Sequence, residues 1–506
     1  MENGLPLLLL LLQIFVALVL AGLVALVVMA FIAYVVDVRQ TRHTIRRNYP
    51  VIGRFRYLFE HLGNFLRQYF YAMDREEMPF NRAQRSWVYR AAKNVDSTLP
   101  FGSTQSITTP GTLIFSPHPF PSLAEEHAVS PVVIGPYCRH PYETASLINI
   151  SAMSYGAISR PAVVALSRGA KMAGCWLNTG EGGLSDYHLS GGADIVFQIG
   201  TAKYGVRDGD GNLSDDKLKT IAEHPQVRMF EIKISQGAKP GKGGILPGIK
   251  VTEEIAHIRG IPRGHDSISP NGHTDIRSVD QLLDAIAHIR DLTGKPVGFK
   301  MVVGHMDFFD ELCDAILARG SESAPDFITL DSGDGGTGAA PQSLLDHAGL
   351  PIRETLPLVV DRLVARGLRE RIRIIASGKL ILPVDVAWAL ATGADFVNSA
   401  RGFMFALGCI QAMQCNKNTC PTGITTHDPE LQRGLDPTDK AVRVAQYVRN
   451  MVKEVTVIAH ACGVDCPRQL QRRHARMVIR PGVSVPLDEL YASSEYRAVQ
   501  VRHPGH

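Results

Sequence analysis

Hydrophobic and polar positions divide this chain into stretches of different rhythm. From Leu5 to Val36 there is no charged residue, and Gln13 is the only strongly polar side chain. That run exceeds the roughly 20 residues that cross a bilayer as a helix. From Tyr49 to Lys93 (YPVIGRFRYLFEHLGNFLRQYFYAMDREEMPFNRAQRSWVYRAAK), arginine mixes with leucine and aromatics at helical spacing. Helices of that kind either pack onto the next domain or lie along an anionic membrane surface. Proline, glycine and serine are frequent from Pro100 to about Tyr142, as in an extended connection.

From about Ala145 the pattern becomes a short apolar run, a glycine-rich or polar turn, then a helical segment. Eight such runs follow one another: SLINISAM, CWLNTGEGG, DIVFQIG, RMFEIKISQG, VGFKMVV, DFITLDSGDGG, RIRIIASGK and DFVNSARG. Most are rich in β-branched residues, and amphipathic segments such as SRPAVVALSRGAKMAG and VDVAWALATGA fill the intervals. Eight strand–helix units predict an α/β protein with a (β/α)8 TIM barrel. A doubly wound open sheet is the competing arrangement, but no strand is followed by a G-x-G-x-x-G turn that opens a helix. The expected organisation is a transmembrane anchor over 1–38, a basic and aromatic helical collar with its connection over 39–144, the barrel over 145–430, and a C-terminal helical segment and tail over 431–506.

Composition adds orientation. With 506 residues, 45% hydrophobic, 20% charged and a net charge of +4, the chain has a large core and no nucleic-acid signature. Arg39, Arg42, Arg46, Arg47, Arg54 and Arg56 follow the apolar run with no acidic residue between Val38 and Phe59, whereas the N-terminal flank offers only Glu2. There is neither a basic n-region nor a small-residue cleavage site, so a retained single-pass anchor is expected in place of a signal peptide. The charge bias puts its C-terminal side in the cytoplasm. Eight cysteines without regular pairing also suit a reducing compartment.

Candidate chemistry gathers behind the late strands. Cys409, Cys415 and Cys420 form a C-x5-C-x4-C cluster directly after the eighth run, ending in Cys-Pro. The spacing differs from zinc ribbons and bacterial ferredoxins. Three ligands without a local fourth point to a three-iron cluster, or to a four-iron cluster with a distant ligand. Cys462 and Cys466 are candidates for that ligand but read more simply as buried small residues; a structural zinc is the other alternative. The sixth run ends in Gly333-Asp334-Gly335-Gly336-Thr337-Gly338, the seventh in Ser377-Gly378-Lys379 and the eighth in Ser399-Ala400-Arg401-Gly402. Small residues with a nearby cation on consecutive strand ends suit a phosphate. FMN is the economical cofactor, having one phosphate and passing electrons between an organic substrate and a one-electron cluster.

Together INISAMSYGAIS (from Ile148), NTGEGG (from Asn178), EIKISQGAKPGKGG (from Glu231), ISPNGHTDI (from Ile268), DSGDGGTGAAP (from Asp331) and GCIQAMQCNKNTCPTGI (from Gly408) resemble the FMN-binding synthase domain of glutamate synthase, over about Leu147 to Val464. The chain is also similar to the stand-alone, membrane-anchored branch of that family. The resemblance implies FMN and a three-iron, four-sulfur (3Fe-4S) cluster on Cys409, Cys415 and Cys420. It implies that Ala152, Met153 and Ser154 line the isoalloxazine ring through backbone groups, and that Lys233 lies near the flavin N1/O2 edge or the substrate carboxylate. A lysine between Ile232 and Ile234 in a barrel strand is rarely accidental, because an unpaired buried cation is costly. Glu181, Gln236 and Lys239 would surround 2-oxoglutarate, although Glu181 reads equally as a helix-start carboxylate. Lys300 repeats the pattern of Lys233, while His273 and Asp275 read as loop organisers.

The activity implied is reductive amination of 2-oxoglutarate, through 2-iminoglutarate, to L-glutamate: ammonia or a small amine condenses with the oxo acid, reduced FMN gives hydride to the imine, and the cluster refills the flavin. No glutaminase domain, glycine-rich β-helix or nicotinamide-binding fold is readable. Glutamine hydrolysis would fall to an ammonia-supplying subunit, and electrons would come from ferredoxin, another subunit or a membrane donor. The alternatives are a membrane-linked FMN and iron–sulfur dehydrogenase of amines or 2-oxo acids, an N-alkyl-glutamate synthase, and a membrane scaffold that keeps FMN only for folding.

Overall fold

Near-continuous apolar runs of four to eight residues form parallel strands when both of their faces are covered, and all eight predicted runs do so. The computed structural model describes residues 4–124 and 129–492; residues 1–3, with Glu2, residues 125–128 and the tail 493–506 lie outside the described residues. The strands are β1 (Ile148–Ile150), β2 (Leu177–Asn178), β3 (Ile195–Ile199), β4 (Val227–Lys233), β5 (Val297–Val302), β6 (Phe327–Asp331), β7 (Arg373–Ser377) and β8 (Phe396–Ser399). They close into a parallel barrel, β8 pairing with β1 through Val397 and Ile148. Apart from Arg228 and Arg373, every residue of these strands is buried.

The intervening helices carry the caps their sequences announce. The helix Arg160–Ala173 starts at Ser159, whose hydroxyl accepts the Ala162 N–H, and stops at Gly174 in the left-handed region. Its buried face packs on the long helix Pro437–Ala461. The two come close at Gly169, where a Cβ would lie 2.5 Å from Val444.

The described chain separates into one unit up to Gln84 and another from Arg85. The stretch expected as one collar and connection over 39–144 is therefore divided between them. In the first unit, the helix Gly4–Arg39 exposes its large apolar side chains from Leu8 onward. Its last turn holds Asp37, fully buried, which accepts from Arg46 Nε at 2.9 Å, Arg54 Nε at 2.8 Å and the Val51 N–H at 3.1 Å. This clamp folds the chain back into the amphipathic helix Gly53–Leu66, whose Phe55, Leu58 and Phe59 are exposed.

In the second unit, the C-terminal segment is not wholly helical. Ala475–Arg480 and Val483–Pro486 form a hairpin that pairs with Leu113–Phe115. The alternating run ARMVIR-PG-VSVP, broken by Pro481-Gly482, is the local signal for it. A second hairpin, Val132–Ile134 with Tyr142–Thr144, sends Ile134 and Tyr142 into the core cluster of Trp176, Met229, Phe327 and Phe396.

At the N-terminal end of β6 the fully buried Asp326 joins three elements. It accepts from Arg290 Nε at 3.0 Å and the Val297 N–H at 2.9 Å, with Arg371 Nη2 3.0 Å away. Removing one partner of a buried ion network leaves uncompensated charge behind. Asp326→Ala should therefore lower the unfolding free energy by about 3–5 kcal/mol, measured by urea denaturation in detergent. Arg319→Ala, which breaks the exposed pairs with Asp280 and Asp284, should cost less than about 1 kcal/mol. Equal effects would show that Asp326 does not anchor this end of the barrel.

Candidate active site

The chemistry-bearing side chains collect at the C-terminal ends of the strands, where the βα loops of such barrels build their sites. Lys233 and Lys300 end up beside one another because β4 and β5 pair in the register Lys233 to Lys300. Two buried ammonium groups on neighbouring strands need separate counter-charges. Lys233 Nζ lies 2.9 Å from Glu181 Oε1, and Lys300 Nζ lies 3.2 Å from Asp331 Oδ2. Burial raises the Glu181 and Asp331 carboxyls, but their lysines outweigh it and hold both below the usual range. Burial likewise works against the Lys300 ammonium, and Asp331 reverses it. One layer deeper, Glu231 accepts from Asn178 Nδ2 at 2.8 Å, Gln198 Nε2 at 2.6 Å and Thr329 Oγ1 at 2.6 Å.

The loops are stacked tightly. Gly180, in the left-handed region, leaves no room for a Cβ, which would lie 2.5 Å from the Ser154 nitrogen. The turn of Ala152, Met153 and Ser154 and the loop carrying Glu181 are thereby held together. After β4, Gln236 is half-buried, the Gly237 N–H donates to Asp331 at 3.1 Å, and Lys239 is buried. Burial and the nearby Lys233 push Lys239 down to about 8. Glu181, Lys233, Gln236, Lys242 and Asn271 line a small cavity here. His273 Nε2–H donates to the Lys233 carbonyl at 3.0 Å, and Asp275 pairs with Lys203 at 2.8 Å; both brace the loop, as their sequence context suggests.

The three glycine- and serine-rich turns also meet. A Cβ at Gly336 would lie 2.8 Å from Arg401 Nε, and Arg401 Nη2 donates to the Asp334 carbonyl at 3.2 Å. Lys379, left-handed at φ 51°, pairs with the Asp334 carboxylate at 3.2 Å. Gly378 packs directly on Ser332, Gly333 on Gly349, and Gly335 on the Ser332 carbonyl. Ser377 and Ser399 are buried, and Ala400 precedes the helix Arg401–Leu407. Two cations and close-packed glycines around one loop suit a phosphate, with Asp334 as the anion that now holds Lys379.

Beyond β8, Cys409, Cys415 and Cys420 lie on a loop with three non-glycine residues in the left-handed region: Gln411, Met413 and Asn418. Tyr89 Oη donates to the Cys409 carbonyl at 2.6 Å, the Gln411 N–H to Cys409 Sγ at 3.4 Å, and Thr422 Oγ1 is 3.4 Å from Cys420 Sγ. Burial pushes Cys409 up to about 12, and the other two thiols add to the shift. Cys420 lies below its ordinary value: burial raises it, and the Thr422 and Thr425 hydroxyls and backbone N–H groups outweigh that. Thr425 Oγ1 is buried beside Cys415 and Cys420 and favours the thiolate of each. Among the described residues no three His, Cys, Asp or Glu side chains converge as a single metal ion requires. Three thiols close enough to influence one another on one loop, with the Thr422 and Thr425 hydroxyls beside them, are the residues that could hold an iron–sulfur cluster. Cys462 and Cys466 face elsewhere, 3.8 Å from the His474 carbonyl and 3.9 Å from Ser130 Oγ.

Sequence reasoning missed the counter-charge role of Asp331, the Glu231 layer, and Lys250, buried between the first loop and the cysteine segment. Lys250 carried the same signal as Lys233, a lone lysine between Ile249 and Val251.

A family model described as "Conserved region in glutamate synthase" matches residues 116–465. The "Glutamate synthase large subunit-like protein YerD" of Bacillus subtilis is 40% identical over 494 residues, covering 90% of this chain and 93% of that protein. The NADPH-qualified "Archaeal glutamate synthase" of Methanocaldococcus jannaschii is 37% identical over 332 residues, 65% of this chain. The chain spans only 61% of that archaeal relative's length. Among solved structures, a flavocytochrome b2 variant with sulfite bound aligns over 89% of this chain and 92% of its own, at 13% identity and a TM-score of 0.45.

The pairing of Lys233 with Glu181 has a measurable consequence. Lys233→Met should destabilise the protein by about 3 kcal/mol, because it leaves the Glu181 carboxylate in a desolvated site. Adding Glu181→Gln should recover more than half of that loss in urea denaturation. A double variant no more stable than the single one would show that the two side chains do not compensate each other.

Proposed function

The chain belongs to the glutamate synthase family and is an oxidoreductase of glutamate synthase type, and from that premise we propose that it reductively aminates 2-oxoglutarate to L-glutamate. The observation that carries this reading is the cluster of Lys233, Gln236 and Lys242 around Glu181 on one small cavity, with the buried Lys239 close behind Lys233 and Glu181. A dicarboxylate needs that concentration of cationic and amide donors. FMN bound across the strand ends would supply hydride chemistry, and a 3Fe-4S cluster one-electron steps.

The chain's own groups have separable tasks in this reading. Lys379, Arg401 and the turns at Gly335, Gly336, Gly378 and Ala400 hold the phosphate. The backbone of Ala152, Met153 and Ser154 edges the ring system, and Cys409, Cys415 and Cys420 carry the cluster. Lys233 and Lys239 orient the substrate carboxylates and Gln236 adds an amide. Glu181, kept ionised by Lys233, would take a proton from the attacking ammonia or small amine and return it to the oxo oxygen, which leaves as water. Ferredoxin or another redox partner supplies electrons, and a separate subunit is the source of ammonia where glutamine is the nitrogen donor.

The deciding experiment is anaerobic. The purified protein is reduced chemically, 2-oxoglutarate and ammonium are added, and flavin absorbance is followed while glutamate is assayed. Reoxidation is expected only with both substrates, together with glutamate. Apparent affinity for 2-oxoglutarate should fall as pH rises through about 8, since Lys239 loses its proton there, and Lys239→Met should remove that step. A flavin that stays reduced with ammonium and amines alike would sink the reading, and a pH step that survives in Lys239→Met would remove Lys239 from it.

We further propose that the helix Leu8–Arg39 is a single-pass anchor that leaves the catalytic unit in the cytoplasm. In support, its most apolar stretch of 18 residues has a mean hydropathy of 3.1, and none of that stretch is buried. The protein should stay in the membrane pellet after alkaline carbonate washing and dissolve only in detergent. Release by carbonate would overturn the anchor.

A further inference from the structure

Lys250 is 2% exposed, in the turn Gly248–Lys250 of the long loop after β4. Its Nζ donates to two backbone carbonyls, Ala157 at 2.8 Å and Cys415 at 3.3 Å. Ala157 belongs to the loop that follows Ala152, Met153 and Ser154, and Cys415 is the middle cysteine of the trio. One side chain thus bridges the two segments between which electrons would pass.

Its charge has no carboxylate partner. Lys203, Lys233 and Lys300, also buried, each have an acid within 3.2 Å, whereas Lys250, like the buried Lys239, has none at ion-pair distance among the described residues. Among the described residues its ammonium is met by the Ala157 and Cys415 carbonyls and by no carboxylate. A buried cation persists only with a counter-charge, and neutral thiols do not provide one. Three thiolates on an iron–sulfur cluster would.

We propose that Lys250 is the cluster's counter-cation: its fixed positive charge favours the reduced cluster, which carries one more negative charge than the oxidised one, and so sets the potential at which the cluster accepts an electron. The proposal rests on the cluster reading given above. Lys250 is a positioning residue in this role, because it touches the cluster's loop and not the substrate. Its two hydrogen bonds give it a purely structural competitor, a strut between loops, which the test must separate from the charge.

The test is an EPR-monitored potentiometric titration of the full-length holoprotein in detergent, with iron and acid-labile sulfide measured on the same samples. Lys250→Gln keeps donors for both carbonyls and removes the charge; Lys250→Arg keeps the charge. At the wild-type midpoint, Lys250→Gln should lower the ratio of reduced to oxidised cluster about tenfold, about 59 mV for one electron, and Lys250→Arg should stay within about twofold. Should Lys250→Gln not fold, Lys250→Met takes its place. A loaded cluster in the neutral variant that titrates within about twofold of wild type, or an arginine variant that shifts as far as the glutamine one, overturns the proposal and leaves the strut. Wild-type protein without iron and sulfide would overturn this proposal and the cluster reading together.

Discussion

Two ammonium groups side by side inside a barrel mouth are the constraint on which the rest of the site depends. The register of β4 and β5 sets Lys233 against Lys300, and neither can stay charged without its own carboxylate. Glu181 comes from the loop after β2 and Asp331 from the end of β6, so four strand ends must be aligned before both charges are tolerable. The tight stacking of Gly180 on Ser154 and of Gly237 on Ser332 follows from that alignment. What results is a charge-compensated face on which Lys233 and Glu181 line a small cavity.

The opposite end of the barrel solves a different problem. Asp326 and Arg371 are buried and Arg290 is half-buried, the carboxylate pairing with both guanidinium groups, and the Val132–Ile134 hairpin covers the apolar core beneath them. Charges there hold elements together and point at no cavity. Division of labour between a stabilising N-terminal face and a chemical C-terminal face is what a closed parallel barrel permits, because strand termini rather than strand interiors are free to vary. The cysteine loop follows β8 on this same face, and Tyr89 supports it by donating to the Cys409 carbonyl.

Much of this was legible before folding. All eight strands, the apolar N-terminal helix and the cysteine trio were read from runs and spacings of a few residues, since burial on both faces makes a parallel strand locally recognisable. The Ser159 and Gly174 caps are local signals of the same kind. The hairpin at 475–486 was also written locally, in ARMVIR-PG-VSVP, but was absorbed into a segment read as helical because the long helix before it dominates the pattern. Lys250 was passed over for another reason: a lone lysine in a loop looks solvated until the loop is seen to be buried.

By itself, then, the sequence determined which segments become strands and helices, where the chain turns, and which residue types stand at each strand end, because hydrophobic periodicity, caps and glycine turns act between near neighbours. Tertiary structure alone decided which charge answers which. Lys233 meets Glu181 across 52 residues of sequence, Lys250 meets the Cys415 carbonyl across 165, and Tyr89 meets the Cys409 carbonyl across 320. Such pairings are set by strand register and barrel closure, which no local pattern encodes, and a buried charge finds its partner only when the barrel has closed around it.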